Sequence, residues 1–101
     1  MDKLIRTIGL AYRASKVLIG EILISNMSSI RLVFVASDAS DKTKQRFKKK
    51  CYYYKIPCIE NYKSEDLSKA IGKHRIMAIG ISDEGFADSM IKEIERRSVN
   101  G

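Results

Sequence analysis

Two short runs set the terms for any fold this chain can adopt. Arg31–Ser37 reads RLVFVAS and Ile76–Ser82 reads IMAIGIS. A strand with one wet face alternates apolar and polar residues, and these runs do not. Each is therefore expected to be a strand buried on both faces. A sheet with such strands at its centre has to be covered by helices on either side.

The segments between the runs supply those helices. Leu4, Ile5, Ile8, Ala11 and Tyr12 recur at helical spacing, and Gly9 inside that pattern implies a close contact with another helix. Lys16–Ile19 (KVLI) reads as a short strand closed by Gly20. Glu21–Met27 (EILISNM) reads as a short helix offering Ile22, Leu23 and Met27 to the core. After the first apolar run, Ser40 or Asp41 can cap a helix. Along it Phe47, Cys51 and Tyr54 make a narrow inward stripe. Ile56–Tyr62 (IPCIENY) is a further strand, with Pro57 at its start where no ladder donor is needed. Ser64 caps the next helix, Glu65 and Asp66 suit its positive end, and Gly72 ends it. Ser82 or Asp83 opens the last helix, with Phe86, Met90, Ile91 and Ile94 facing inward. The alternation predicts one α/β domain over residues 1–96, a three-layer α/β/α sandwich around a small mixed sheet. The end of the chain, RSVNG (97–101), reads as a flexible tail.

Charge is unevenly spread. The net charge is +7, yet residues 31–58 hold eight Lys or Arg against Asp38 and Asp41. Residues 84–101 hold three against four. The positive field is centred on KTKQRFKKKCYYYK (42–55), which favours a polyanionic partner. Lys48, Lys49 and Lys50 are consecutive, so they fan over about 200° of helix and only some can face one ligand.

Catalysis finds little to work with. His74, the single histidine, lies in a connecting loop, GKHR, without a nucleophile or paired carboxylate beside it. IGKHR lacks the first glycine and the Ser/Thr of a phosphate-binding loop. Cys51 and Cys58 form no CxxC pair and read as free thiols without a partner to lower their pKa, Cys51 as a small core residue. No apolar run is long enough for a membrane span, and Lys3, Arg6 and Arg13 break up the N-terminus too much for a signal peptide. A cytoplasmic, non-enzymatic protein with no cofactor and no metal is expected. Asp38, Ser40 and Asp41 follow a strand at the edge where α/β sheets bind ligands, either as helix caps alone or as caps on the rim of a binding surface.

Three stretches carry a family resemblance: LAYRASKVLIGE (10–21), RLVFVASDASDKT (31–43) and LSKAIGKHRIMAIGISDEGFA (67–87). In this order, over almost the whole chain, they resemble the small bacterial YlxQ-type ribosomal proteins, relatives of the archaeal and eukaryotic large-subunit proteins that bind kink-turn RNA. The resemblance implies an α/β/α fold and RNA binding without catalysis, on ribosomal or other structured RNA. It assigns RNA contact to the loop entering the second helix, here Lys16, Gly20 and Glu21. It also assigns the loop after the fourth helix, here Gly72, Lys73, His74, Arg75 and Ile76. An apolar loop residue such as Ile76 would pack against an extruded base. Asp38, Lys42 and Lys44 are expected to flank these loops, while Lys48–Lys50 lie further along the helix. Kink-turn readers carry a polar pair and a lysine where this chain has Ile22, Leu23 and Asn26, and relatives usually have glycine at Ser15. A second reading gives the same fold an acidic protein partner, met by the basic helix and by Tyr52 and Tyr53.

Overall fold

The two apolar runs pair with each other. In the computed structural model, which describes the backbone of residues 2–100 and the side chains of residues 2–97, β2 (Leu32–Val35) lies antiparallel to β4 (Ala78–Ile81). Leu32 stands opposite Ile81 and Val35 opposite Ala78. Every residue of both strands is buried, as unbroken apolar runs require. β1 (Val17–Leu18) adds antiparallel to the free edge of β4, and β3 (Cys58–Ile59) adds parallel to β2. The order is β1-β4-β2-β3.

Both edge strands are shorter than their sequences suggest. KVLI gives two strand residues, and IPCIENY gives two. Pro57 has no N–H to offer, although its carbonyl accepts from Val33 at 3.0 Å. Further on the chain is caught again where Ser37 N–H donates to Tyr62 O at 2.8 Å.

Five helices cover the sheet: α1 (Lys3–Arg13), α2 (Gly20–Ser25), α3 (Asp41–Tyr54), α4 (Ser64–Ile71) and α5 (Glu84–Asn100). A 3₁₀ turn, Met27–Ser29, follows α2. α2, that turn and α3 take one face, and α1, α4 and α5 take the other, giving the expected three layers. On the first face, Gly80 leaves room for Leu23 and Ile30: a Cβ there would lie 2.2 Å from Leu23 Cδ1. On the second, a Cβ at Gly9 would lie 2.9 Å from Ala70 O, the close helix contact that the glycine implies.

Three assignments change. Ile22 is 62% exposed, because α2 is only six residues long and turns Leu23, not Ile22, onto the sheet. Tyr54 is 43% exposed: β2 has four residues, so the last turn of α3 runs past the sheet. Its ring instead meets Tyr53 edge-on, at 4.9 Å. Ser64 is the first residue of α4 rather than its cap, and that role passes to Asp38. Ser40 caps α3 by accepting from Thr43 N–H, and Asp83 accepts from Phe86 N–H at the start of α5. Cys51 and Cys58, both reduced, come together because β3 begins beneath the last turns of α3. Each is thus the other's partner, and the interaction of the two thiols holds Cys58 below and Cys51 above the usual thiol range.

One clasp joins the two ends of the chain. Arg97 donates to Asp2 (3.0 Å), to Glu93 (3.0 Å) and to Tyr62 OH (3.2 Å). Glu93 is buried and also bonds Arg96, while Asp2 accepts from Leu4 N–H as the cap of α1. Arg97, the first residue of the expected tail, therefore lies within α5, while Gly101 and the side chains of 98–100 lie outside the described residues.

Two stability predictions follow from these contacts. Arg96 and Arg97 hold the Glu93 carboxyl below its usual range. For Asp2 burial pushes upward, but the Arg97 and Leu4 bonds outweigh it. A carboxyl lowered by folding stabilises fully above its unfolded pKa and loses that effect as pH falls through the folded value. Urea midpoints should therefore drop between about pH 5 and pH 2, and drop less in an Asp2→Asn/Glu93→Gln variant. Ser15, just beyond the end of α1, has φ 61, a left-handed position where glycine is the usual residue. Relief of about 1–2 kcal/mol, less roughly 0.5–1 kcal/mol of chain entropy, should make Ser15→Gly more stable by a few degrees in a thermal melt.

Candidate nucleic-acid interface

The pairing of β1 and β4 brings two distant loops to one end of the sheet. Because Leu18 stands opposite Gly80, the chain leaving β1 at Gly20 meets the chain entering β4 at Met77. Between them lies a cleft of about 260 Å³. Gly20 and Glu21 form one wall, Arg75, Ile76 and Met77 the other, and Phe47 reaches in from α3.

The first wall begins at a backbone that only glycine adopts readily. Gly20 has φ +62 and nothing within 4 Å of where a Cβ would be, so the constraint is conformational and the space above it is open. A ligand can approach this backbone closely. Ile22 projects into solvent from the next turn, while Asn26 donates to Ile22 O at 2.7 Å and is thereby held to its own helix.

The second wall is pinned from beneath. Gly72 (φ +67) ends α4, Lys73 N–H donates to Ser68 O, and Ile76 N–H donates to Ser68 Oγ at 2.9 Å. Met77 O accepts from Ala36 N–H at 2.8 Å, tying the loop to β2. Ser68 is 8% exposed, so one buried hydroxyl sets the shape of the loop. Lys73, His74 and Arg75 stay exposed and Ile76 is half-buried. Arg75 has φ 54, at a cost of about 1–2 kcal/mol for a residue with a Cβ. Strained backbone of this kind is often retained where a side chain has to be presented.

The remaining candidates divide. Asp38 sits at the same rim, but both its carboxylate oxygens engage Ser64, one on the N–H (2.8 Å) and one on the hydroxyl (3.1 Å). The Ser64 N–H bond holds its carboxyl below the usual range. Lys44 is half-buried and lies three residues before Phe47, on the side of α3 that faces the cleft. Lys42 is exposed and points away from that side. Lys16 is not brought to the cleft. Its carbonyl accepts from Ser82 at the other end of β4, four residues or about 13 Å of extended chain from Gly20.

Sequence reasoning missed Ser68, Phe47 and Met77 as parts of this site. Ser68 carried a usable signal: a serine next to Leu67 on a buried helix face needs a hydrogen-bond partner, and the loop behind it is the nearest source. Phe47 and Met77 carried none, since an apolar residue lining a cleft is indistinguishable from a core residue in the sequence. Replacing Ser68 by Ala would leave the Ile76 N–H without its acceptor. This should lower stability by about 1–3 kcal/mol and speed hydrogen exchange at the Ile76 amide.

Known proteins resemble this chain along nearly its full length. It is 42% identical over 99 residues to the RNA-binding protein YlxQ of Enterococcus faecium, covering 93% of each chain. It is 35% identical over 91 residues to the RNA-binding protein YlxQ of Bacillus subtilis (strain 168), covering 87% of this chain and 91% of that one. A solved protein of unknown function from Bacillus halodurans C superposes with a TM-score of 0.86 at 34% identity, over 94% of this chain and 99% of the other. The Giardia lamblia 15.5kD RNA binding protein superposes at 0.75 over 95% and 91%, and at 15% identity that likeness speaks for the fold alone. No family model matches the sequence. Two curated relatives above 30% identity, each matched over most of its length, decide the question: the chain belongs to the YlxQ family.

Proposed function

We propose that this protein binds structured RNA, kinked or bulged, in the cytoplasm and in association with ribosomal RNA, without performing chemistry on it. The observation that carries the reading is the cleft that joins Gly20 and Glu21 to Arg75 and Ile76. Two relatives that share the sequence over most of its length are named RNA-binding proteins.

In this reading Lys73, Arg75 and Lys44 take phosphates, and the open backbone at Gly20 lets the RNA approach. His74 borders the same phosphates, Gly72 sets the turn that presents them, and Glu21 meets a base edge or sugar hydroxyl. Asp38 positions the rim by holding α4, and Lys42 and Lys16 add long-range attraction. An extruded base packs on Ile76, Met77 and Ile22. This apolar surface takes the place of a polar reading pair, so the preference is for an unstacked base within an irregular element rather than for a particular base pair.

Affinity for a bulged RNA should fall with salt by about 0.7–0.9 in log–log slope per phosphate contact. A Lys73→Ala/Arg75→Ala variant should lose about tenfold or more in affinity and one to two contacts' worth of slope, with its preference for bulged over straight RNA reduced. A wild-type protein that binds no RNA at low salt would sink the proposal.

A further inference from the structure

The most exposed aromatic groups of the molecule have no place in that cleft. α3 is 14 residues long, about 21 Å, and runs from the rim with the two loops to the opposite end of the sheet. There Tyr52 and Tyr53 are 88% and 78% exposed. They wall an open groove of about 1110 Å³, floored by Ile56 and Pro57 and flanked by Lys49 and Lys55.

Several features make this surface unlike a merely solvated helix end. Two adjacent tyrosines this exposed are unusual, since such rings normally bury most of their apolar area. Tyr54 meets Tyr53 edge-on at 4.9 Å and so fixes its ring while leaving most of it free. Lys55 has φ 59, a left-handed position that a glycine would occupy more easily. Among the described residues neither Lys49 nor Lys55 has an acidic partner, and Lys48 pairs with Glu60 at 3.0 Å. Of the acidic residues near this end, Glu60 is held by Lys48. Glu84 and Asp88 line an adjoining hollow that shares Lys55 and Ile56 with the groove, but neither forms an ion pair with Lys55.

Free aromatic faces between unpaired cations match a strand of alternating bases and phosphates. We infer that Tyr52 and Tyr53 form a stacking platform for single-stranded RNA, with Lys49 and Lys55 on its phosphates. An acidic peptide would satisfy the lysines but leave two flat rings without flat partners, and stacking on them tolerates any base. The inference rests on RNA being the polymer bound, though not on the placement of the first site. The domain measures 31 × 27 × 25 Å, so its two ends hold separate RNA segments, a structured element at the cleft and a single strand at the tyrosines.

The test measures binding of a labelled adenosine dodecamer and, separately, of a bulged RNA, with tyrosine fluorescence as a second readout. The dodecamer should quench tyrosine emission, and Tyr52→Ala/Tyr53→Ala should weaken its binding by about tenfold or more. Tyr52→Phe/Tyr53→Phe should retain it, because stacking needs the ring and not the hydroxyl. The alanine variant should keep its affinity for the bulged RNA, and Arg75→Ala should keep its affinity for the dodecamer. No binding of the dodecamer, or binding indifferent to the tyrosines, overturns the inference, as does a parallel loss with Arg75→Ala, which would mean one shared site. If an oligoglutamate peptide binds in a tyrosine-dependent way and the dodecamer does not, the surface belongs to an acidic protein and the inference fails. Failure of the cleft reading shows elsewhere, as bulged-RNA affinity unaffected by the loop substitutions.

Discussion

The antiparallel pairing of Leu32–Val35 with Ala78–Ile81 is the constraint on which the other elements depend. All of these residues are buried, so neither strand can face water and helices have to cover both sides. The pair also fixes register: a slip by one residue would turn Gly80 away from Leu23 and put a side chain where even a Cβ would lie 2.2 Å from Leu23 Cδ1. Edge strands of two residues suffice because the centre already buries the apolar area. The clasp of Asp2, Glu93 and Arg97 then ties α1 to α5 across the outside of one layer.

The same register makes the candidate site. Pairing Leu18 with Gly80 and Val35 with Ala78 sends the ends of β1 and β2 and the start of β4 to one rim. Two side chains then shape what emerges there. Ser68 holds Ile76 from within α4, and Asp38 holds the first residue of α4 from the loop after β2. Both are polar groups satisfied by the backbone of another segment, so the loops are positioned by bonds that cross the fold. On the proposed reading, loops held in this way would meet an irregular RNA with little reorganisation.

The sequence made the order and type of elements legible because two long apolar runs and a set of caps agree with one another. Ser40, Asp83 and Gly72 each stand where a helix begins or ends. The illegible parts depend on distance in space. Asp38 looks like a cap for the helix that follows it, and only the fold reveals that its carboxylate reaches Ser64, 26 residues on. Tyr54 fits the stripe with Phe47 and Cys51, but the stripe cannot tell that the sheet stops short beneath it. Lys16 is close to Gly20 along the chain yet lies at the other end of β4, because an extended segment separates what a helix would have kept together. For the site, family likeness points to Gly20, Arg75 and Ile76, a serine on a buried helix face is the one sequence trace of Ser68, and Phe47 and Met77 emerge only from the fold.

The lysine-rich helix is a single feature in the sequence, and its geometry splits it in two. Lys44 belongs to the cleft end and Lys48, Lys49 and Lys55 to the tyrosine end, where Lys48 is engaged in a surface ion pair worth about 0–1 kcal/mol. The backbone marks the same two ends. Three residues other than glycine adopt left-handed backbone, Ser15, Arg75 and Lys55, among the described residues. Each costs about 1–2 kcal/mol against a total stability of about 5–15 kcal/mol. Nothing in the structure explains Ser15. Arg75 and Lys55 stand one at each end of α3, each presenting a cation beside an apolar surface, Ile76 and Met77 at one and Tyr52 and Tyr53 at the other. A glycine would relieve the backbone at either place and remove the charge, so retaining the strained residue is consistent with the cation being used at both.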